Sequence, residues 1–336
     1  MLRGESEMNS RSIDEFGLIS RYFGNVGAFD ESLFDSPVIP LGIGDDCAIL
    51  RPPPEHEICL SIDTLVCGVH FPESITPYHL GYRCLAVSLS DLAAMGAKPL
   101  AFTLALTLPE SDPEWLAEFS RGLSQLANQY QIRLIGGDTT KGPLTVSIQV
   151  HGLVPVDQAI KRSGAQVGDL ICVSGSLGAA GAALSFLHLE SEIKSGRPGI
   201  RHLLEHYFCP QPKIELGCLL RGHATAAIDI SDGLLADFNH IADSSRVGGV
   251  FYEDQIPCSE LLISEVGSRS LSLALTAGDD YELCFCLPES RYDQLKNDEL
   301  FKTVRVVGIV SSELGLKMQC QDGSEQVLSP KGYTHF

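Results

Sequence analysis

Eight short apolar runs of strand character divide into two groups of four, and this grouping limits the folds open to the chain. EICLSIDTLV (57–66), PLAFTLALTL (99–108), IRLIGG (132–137) and LTVSIQVHGLV (144–154) form the first group. LICVSG (170–175), TAAIDI (225–230), YELCFCL (281–287) and TVRVVGIV (303–310) form the second. Helical patterns lie between them. In 113–130, Leu116, Phe119, Leu123, Leu126 and Tyr130 recur three and four residues apart, the stripe of an amphipathic helix. Asp112 before Pro113 supplies its N-cap and a proline at the first helical position. Thr76 and Gly96 bracket a second helix over 77–95. Several strands in succession with helices between them predict an α+β protein of two α/β-type domains. At 336 residues the chain exceeds what one hydrophobic core usually serves. The polar stretch at 155–168 predicts a division into 1–155 and 156–336, with about four strands in each part.

Charge narrows the partners. With 24 basic and 43 acidic residues the formal net charge is −19, which argues against nucleic acid as a partner. No apolar run nears the ~20 residues of a membrane helix, and MLRGESEMNSRSIDEF at the N-terminus has no apolar leader. Eleven cysteines are scattered without any C-x-x-C, several of them in apolar stretches, where a thiol acts as a small hydrophobe. Neither structural zinc nor disulfides are expected, and a cytoplasmic protein fits.

Some acids do not fit a solvated surface. On the 77–95 helix, Leu80, Cys84 and Val87 form a stripe whose next position is Asp91. Asp63 lies inside ICLSIDTLV with Ser61 on the same face. Asp138 follows a strand and two glycines in LIGGDTT. Asp229 and Ser231 share a face of AIDIS, and Asp232 opens the following helix, where an N-cap explains it. Asp46 stands beside Asp45 in GIGDDCAIL, between a Gly-x-Gly and an apolar run. An unpaired carboxylate in such places is costly. A separate structural partner for each is one explanation; convergence on cations is the other. All-oxygen ligands favour Mg2+, which commonly shares its shell with substrate phosphates. Cations would also reconcile the −19 charge with a phosphate ligand. SGSLGAAGAAL (174–184) either presents N–H groups to an anion or is a tight turn with close packing. Arg162 sits on a polar loop, and Tyr333 reads as an exposed tail residue.

Together these segments resemble the thiamine-monophosphate kinases, within the superfamily of aminoimidazole-ribonucleotide synthetase and selenophosphate synthetase. The resemblance runs through EFGLISRYF, GIGDDCA, IDTLVCGVHF, LAVSLSDLAAMGAKP, LIGGDTTKGPL, RSGAQVGD, IDISDGLLAD, GDDYELCF and KGYTHF, in that order. It implies an N-terminal domain whose sheet joins a homodimer interface and a C-terminal domain with a mixed sheet flanked by helices. It implies ATP-dependent phosphorylation of thiamine monophosphate with several Mg2+ ions. Asp46, Ser61, Ile62, Asp63, Asp91, Asp138, Asp229 and Asp232 match the metal positions. Gly137, Asp138, Arg162 and Ser231 match ATP contacts, and His70, Asp279 and Tyr333 match contacts to thiamine monophosphate. Relatives usually carry Thr where this chain has Ile62: if the position binds metal through its carbonyl nothing is lost, and if through a hydroxyl one ligand is missing. Asp279 stands where some relatives have Glu.

The expected chemistry is direct in-line phosphoryl transfer with no conspicuous general base. The acceptor is a phosphate monoester with a second pKa of ~6, already largely ionised at neutral pH. Asp279 would offset the thiazolium charge, and Tyr333 would offer an aromatic face. Two alternatives stand beside this reading: another ATP-using member of the superfamily, such as an aminoimidazole-ribonucleotide synthetase, and a non-catalytic divalent-cation-binding protein. The end YTHF lacks the C-terminal Cys of the hydrogenase-maturation relative.

Overall fold

The computed structural model describes residues 15–333; the first fourteen residues, on which the export reading rests, and the final THF of KGYTHF lie outside the described residues. The first half runs β1 (His56–Val66), α1 (Pro77–Ala94), β2 (Lys98–Leu108), α2 (Pro113–Gln129), β3 (Arg133–Lys141) and β4 (Thr145–Pro155). Its four-stranded sheet has the order β1-β4-β2-β3. Only β2 and β3, joined through α2, are parallel. The caps lie where the sequence places them: Thr76 accepts from the His79 N–H, and Asp112 from the N–H groups of Glu114 and Trp115.

Alternation along the strands divides the sheet into two unlike faces. Phe102, Leu104 and Leu106 of β2, with Val146, Ile148 and Val150 of β4, share a core with Leu85 of α1 and Phe119 and Leu123 of α2. The two helices touch backbone to backbone: a Cβ on Gly122 would stand 1.9 Å from the Tyr78 carbonyl oxygen. On the opposite face, Val38 and Ile39 pack with Leu100, Ala101, Ile135 and Leu153. That segment leaves Leu60 and Ile62 exposed.

The second half contains β5 (Leu170–Val173), α3 (Ala179–Ala183), α4 (Pro198–Phe208), β6 (Ala226–Asp229), α5 (Leu234–Ser245), β7 (Gly248–Tyr252), β8 (Leu283–Leu287), β9 (Arg305–Ser311), β10 (Gly315–Gln319) and β11 (Glu325–Leu328). The strands form a mixed seven-stranded sheet ordered β11-β10-β7-β9-β5-β8-β6, in which only β7 and β10 are parallel. Four strands were expected here. β7 opens on two glycines, β10 holds only Leu316 and Met318 as apolar side chains, and β11 begins with two polar residues, so these three lack the apolar density that marks the others.

α1 lies between the halves. Every residue from Leu80 to Ser90 is buried, more than one stripe requires. The second half covers its other side, with a Cβ on Gly217 placed 2.0 Å from the Ala93 carbonyl oxygen. A helix buried all round carries its polar residues inward, and this one carries Arg83 and Asp91.

Candidate active site

Ser61 and Asp63 alternate onto the α1 face of β1, because they register with Val150 and Ile148 of the core beneath that helix. In the last turns of α1, Asp91 accepts a hydrogen bond from the Ser61 hydroxyl. Asp229 ends β6 and is buried. These carboxylates work against one another. Burial, and after it the Asp91 charge, push the Asp63 carboxyl up to about 6. Burial also raises Asp91, against the hydrogen bond from Ser61 and the charge of Arg162. Asp229 is pushed well above the usual carboxylate range by burial, with Asp91 and Asp237 adding to it.

One oxygen of this group, Asp63 Oδ2, is buried without a hydrogen-bond partner. A cation would relieve both that orphaned oxygen and the mutual repulsion. The donors are all oxygen, as Mg2+ requires. Among the described residues, no three His, Cys, Asp or Glu side chains lie close enough to hold an ion by themselves. Mg2+ ordinarily needs only one or two carboxylates when phosphates complete its shell. The residues fit magnesium on those terms.

Other acids lie apart from this group. Asp138 registers with Ala105, in the row that continues through Ser147 to Thr64 on the face turned from α1. Three strand spacings, about 14 Å, span that row. Asp45, Asp46, Gly136, Gly137 and Asp138 line a cavity of about 970 Å3. Gly137 is obligatory there: its φ is +153° and a Cβ would stand 1.9 Å from the Leu104 carbonyl oxygen. Asp45 accepts the Asp46 N–H at 2.9 Å, a local bond that distinguishes the two neighbouring acids. Ile62 registers with Gln149 and is 62% exposed on the open face, so only its main chain stands near Ser61 and Asp63.

Asp232 is not the N-cap that the sequence suggests. Gly233 holds the cap position of α5. Asp237, from within the first turn, accepts the N–H groups of Ser231, Asp232 and Gly233, each at 3.0 Å. Burial nonetheless pushes the Asp237 carboxyl up to about 7. The glycine-rich 174–184 segment is a closely packed turn whose free N–H is taken by the chain itself: the Gly178 N–H donates to Asp280 at 2.7 Å. Arg162 is exposed, with its carbonyl accepting from the Ser245 hydroxyl at 3.3 Å.

The remaining expected contacts lie around buried Arg83. Its guanidinium pairs with Asp279 and donates to the Tyr207 carbonyl. The Tyr207 hydroxyl donates to the His70 carbonyl at 3.0 Å, and His70 Nδ1 accepts the Val66 N–H at 3.0 Å. Asp279 donates its N–H to the Ser231 carbonyl at 2.9 Å. Tyr333 is exposed at its side chain, but its N–H reaches the Asp232 carbonyl at 3.2 Å, so the tail lies against the 231–233 turn.

Residues 44–154 match the family described as AIR synthase related protein, N-terminal domain, and residues 166–321 match its C-terminal domain. The thiamine-monophosphate kinase of Salmonella typhimurium is 42% identical over 325 residues, which cover 96% of this chain and 98% of that one. The chain belongs to the thiamine-monophosphate kinase family. A solved thiamine-monophosphate kinase from Stenotrophomonas maltophilia superposes with a TM-score of 0.79 at 40% identity, covering 86% of this chain and 93% of the other. AaThiL complexed with AMPPCP and TMP superposes with a TM-score of 0.76 at 29% identity, covering 99% and 100%.

In this thiamine-monophosphate kinase fold, sequence reasoning missed Arg83, Tyr207, Asp237 and Tyr281. Arg83 had a visible signal, a lone cation in the apolar run GYRCLAV. Asp237 had one as well, a carboxylate in the first turn of a helix. Tyr207 and Tyr281 had none, since an aromatic beside apolar residues reads as core.

Proposed function

We propose that this chain transfers the γ-phosphoryl group of ATP to thiamine monophosphate, giving thiamine diphosphate and ADP. The observation that carries the reading is 42% identity to a thiamine-monophosphate kinase across 96% of the chain. The likeness to AaThiL complexed with AMPPCP and TMP supports it. The acceptor phosphate is largely ionised at neutral pH, so positioning and charge neutralisation outweigh any need for a base. Magnesium, when bound, would neutralise phosphate oxygens and draw charge from the transferred group.

Ser61, Asp63, Asp91, Asp229 and Asp232, with the Ile62 carbonyl, would hold ions at the α1 side. Asp46 and Asp138 would do so at the cavity. Gly137, Asp138, Arg162 and Ser231 would meet ATP, and His70, Asp279 and Tyr333 would meet thiamine monophosphate. Residues 1–155 would then be the metal, nucleotide and dimerisation domain, and 156–336 would complete the site. Exposed Leu60 and Ile62 on the open sheet face support a homodimer built there. The eleven free thiols suit a reducing cytoplasm, and no helix among the described residues is long and apolar enough to cross a membrane.

Incubation with ATP, Mg2+ and thiamine monophosphate, with thiamine diphosphate read by chromatography, tests the reading. Product that depends on both substrates is expected. Folded protein that makes none overturns it.

A further inference from the structure

Arg83 is 1% exposed and heads the fully buried side chains by size. Its guanidinium carbon stands 4.0 Å from the Tyr207 ring centre and 5.7 Å from that of Tyr281. The Tyr281 hydroxyl donates to Asp279 Oδ1 at 3.1 Å, the oxygen that also receives Arg83. Asp279 and Tyr281 both lie in the left-handed region, with φ of +72° and +50°, a conformation that aspartate tolerates but that is uncommon for a bulky residue such as tyrosine. Burial opposes the Arg83 charge, yet Asp279, Tyr281 and Tyr207 keep it protonated. Apolar side chains in place of both Arg83 and Asp279 would often pack as stably as the ion pair, so stability alone does not account for it. What the cation adds is direction.

We propose that Arg83 is a positioning residue of the thiamine-monophosphate pocket, fixing the Asp279 carboxylate and, through Tyr207, the His70 main chain. The inference rests on the function proposed above. Both hydrogen bonds to the Asp279 carboxylate end on Oδ1, so Oδ2 is the oxygen available to accept from substrate. Because Arg83 matches the Asp279 charge, the pair offers a substrate an acceptor of set direction and not a net counter-charge to the thiazolium. Asp91 lies eight residues further along α1, about 12 Å down the helix axis. One rigid helix thus spaces the acceptor from the carboxylate group.

Steady-state kinetics of Arg83→Met, Arg83→Lys and Tyr281→Phe, each with a melting curve, test this. Arg83→Met raises KM for thiamine monophosphate about 10- to 100-fold, while KM for ATP stays within about twofold. Arg83→Lys recovers part of the loss, and Tyr281→Phe raises the same KM about 3- to 10-fold. If Arg83→Met does not fold, the other two variants decide. An unchanged KM for thiamine monophosphate in both overturns the inference, as does a parallel rise in KM for ATP. Wild-type protein inactive on thiamine monophosphate overturns the proposed function instead; an active wild type with unmoved variants overturns only the role of Arg83.

Discussion

Asp63 and Arg83 are both charged side chains held largely out of water, and their surroundings treat them in opposite ways. Arg83 has a carboxylate, a carbonyl and two aromatic faces, although its Nε is buried without a hydrogen-bond partner. Asp63 has a second carboxylate nearby and one oxygen with no partner. Its folded pKa, about 6, exceeds the unfolded value. Its contribution to stability is therefore full below about pH 4 and is lost as pH rises through 6. At pH 7 the ionised group opposes folding. Asp63→Asn should cut kcat by about 100-fold or more while leaving the melting temperature in chelator unchanged or higher. Near-normal turnover would return Asp63 to a structural role. His202 has the reverse sign: burial, and then His206, lower it to about 4. The stability it contributes is present above pH 6.5 and lost as pH falls through 4. Melting temperature measured against pH should fall less steeply over that window in His202→Gln; an identical slope would exclude the imidazole.

At the scale of elements, α1 is the part on which the site depends. It spans both halves, and α2 sets its place by a contact too close for any side chain. Gly122→Ala would drive a methyl group into the Tyr78 carbonyl, so the helices must part. A loss of about 1–3 kcal/mol is expected from chemical denaturation, with turnover falling because Arg83 and Asp91 move together. An unchanged denaturation midpoint would mean that the helices slide without cost. The strands legible in advance are those dense in apolar residues. Gly248–Tyr252, Gly315–Gln319 and Glu325–Leu328 escaped because four or five residues with glycine starts or few apolar side chains give too little local signal.

For the whole molecule, the open face of the first sheet carries the expectation. Leu60 and Ile62 are 59% and 62% exposed, two residues apart on one face of an edge strand, an arrangement that a lone subunit usually avoids. Ile62→Asp should shift sedimentation from dimer to monomer at micromolar concentration and reduce activity with it. A dimer that survives the substitution, or a monomeric wild type, would place the interface elsewhere or remove it.

Apolar periodicity and capping residues determined, without any coordinates, where most strands and both long helices of the first half lie. Local context alone also singled out Asp63, Asp91 and Asp229, because an acid inside an apolar run is anomalous wherever the run folds. Only the tertiary structure decided which acids meet. Asp91 and Ser61 are thirty residues apart yet bonded, while Asp138 falls about three strand spacings from the β1 edge and on the other face. It also decided that Asp237 and not Asp232 serves the turn before α5, and that Asp280 fills the glycine-rich loop. Those outcomes depend on strand order and on which carboxylate arrives from a distant segment, and no spacing along a single stretch of chain encodes either.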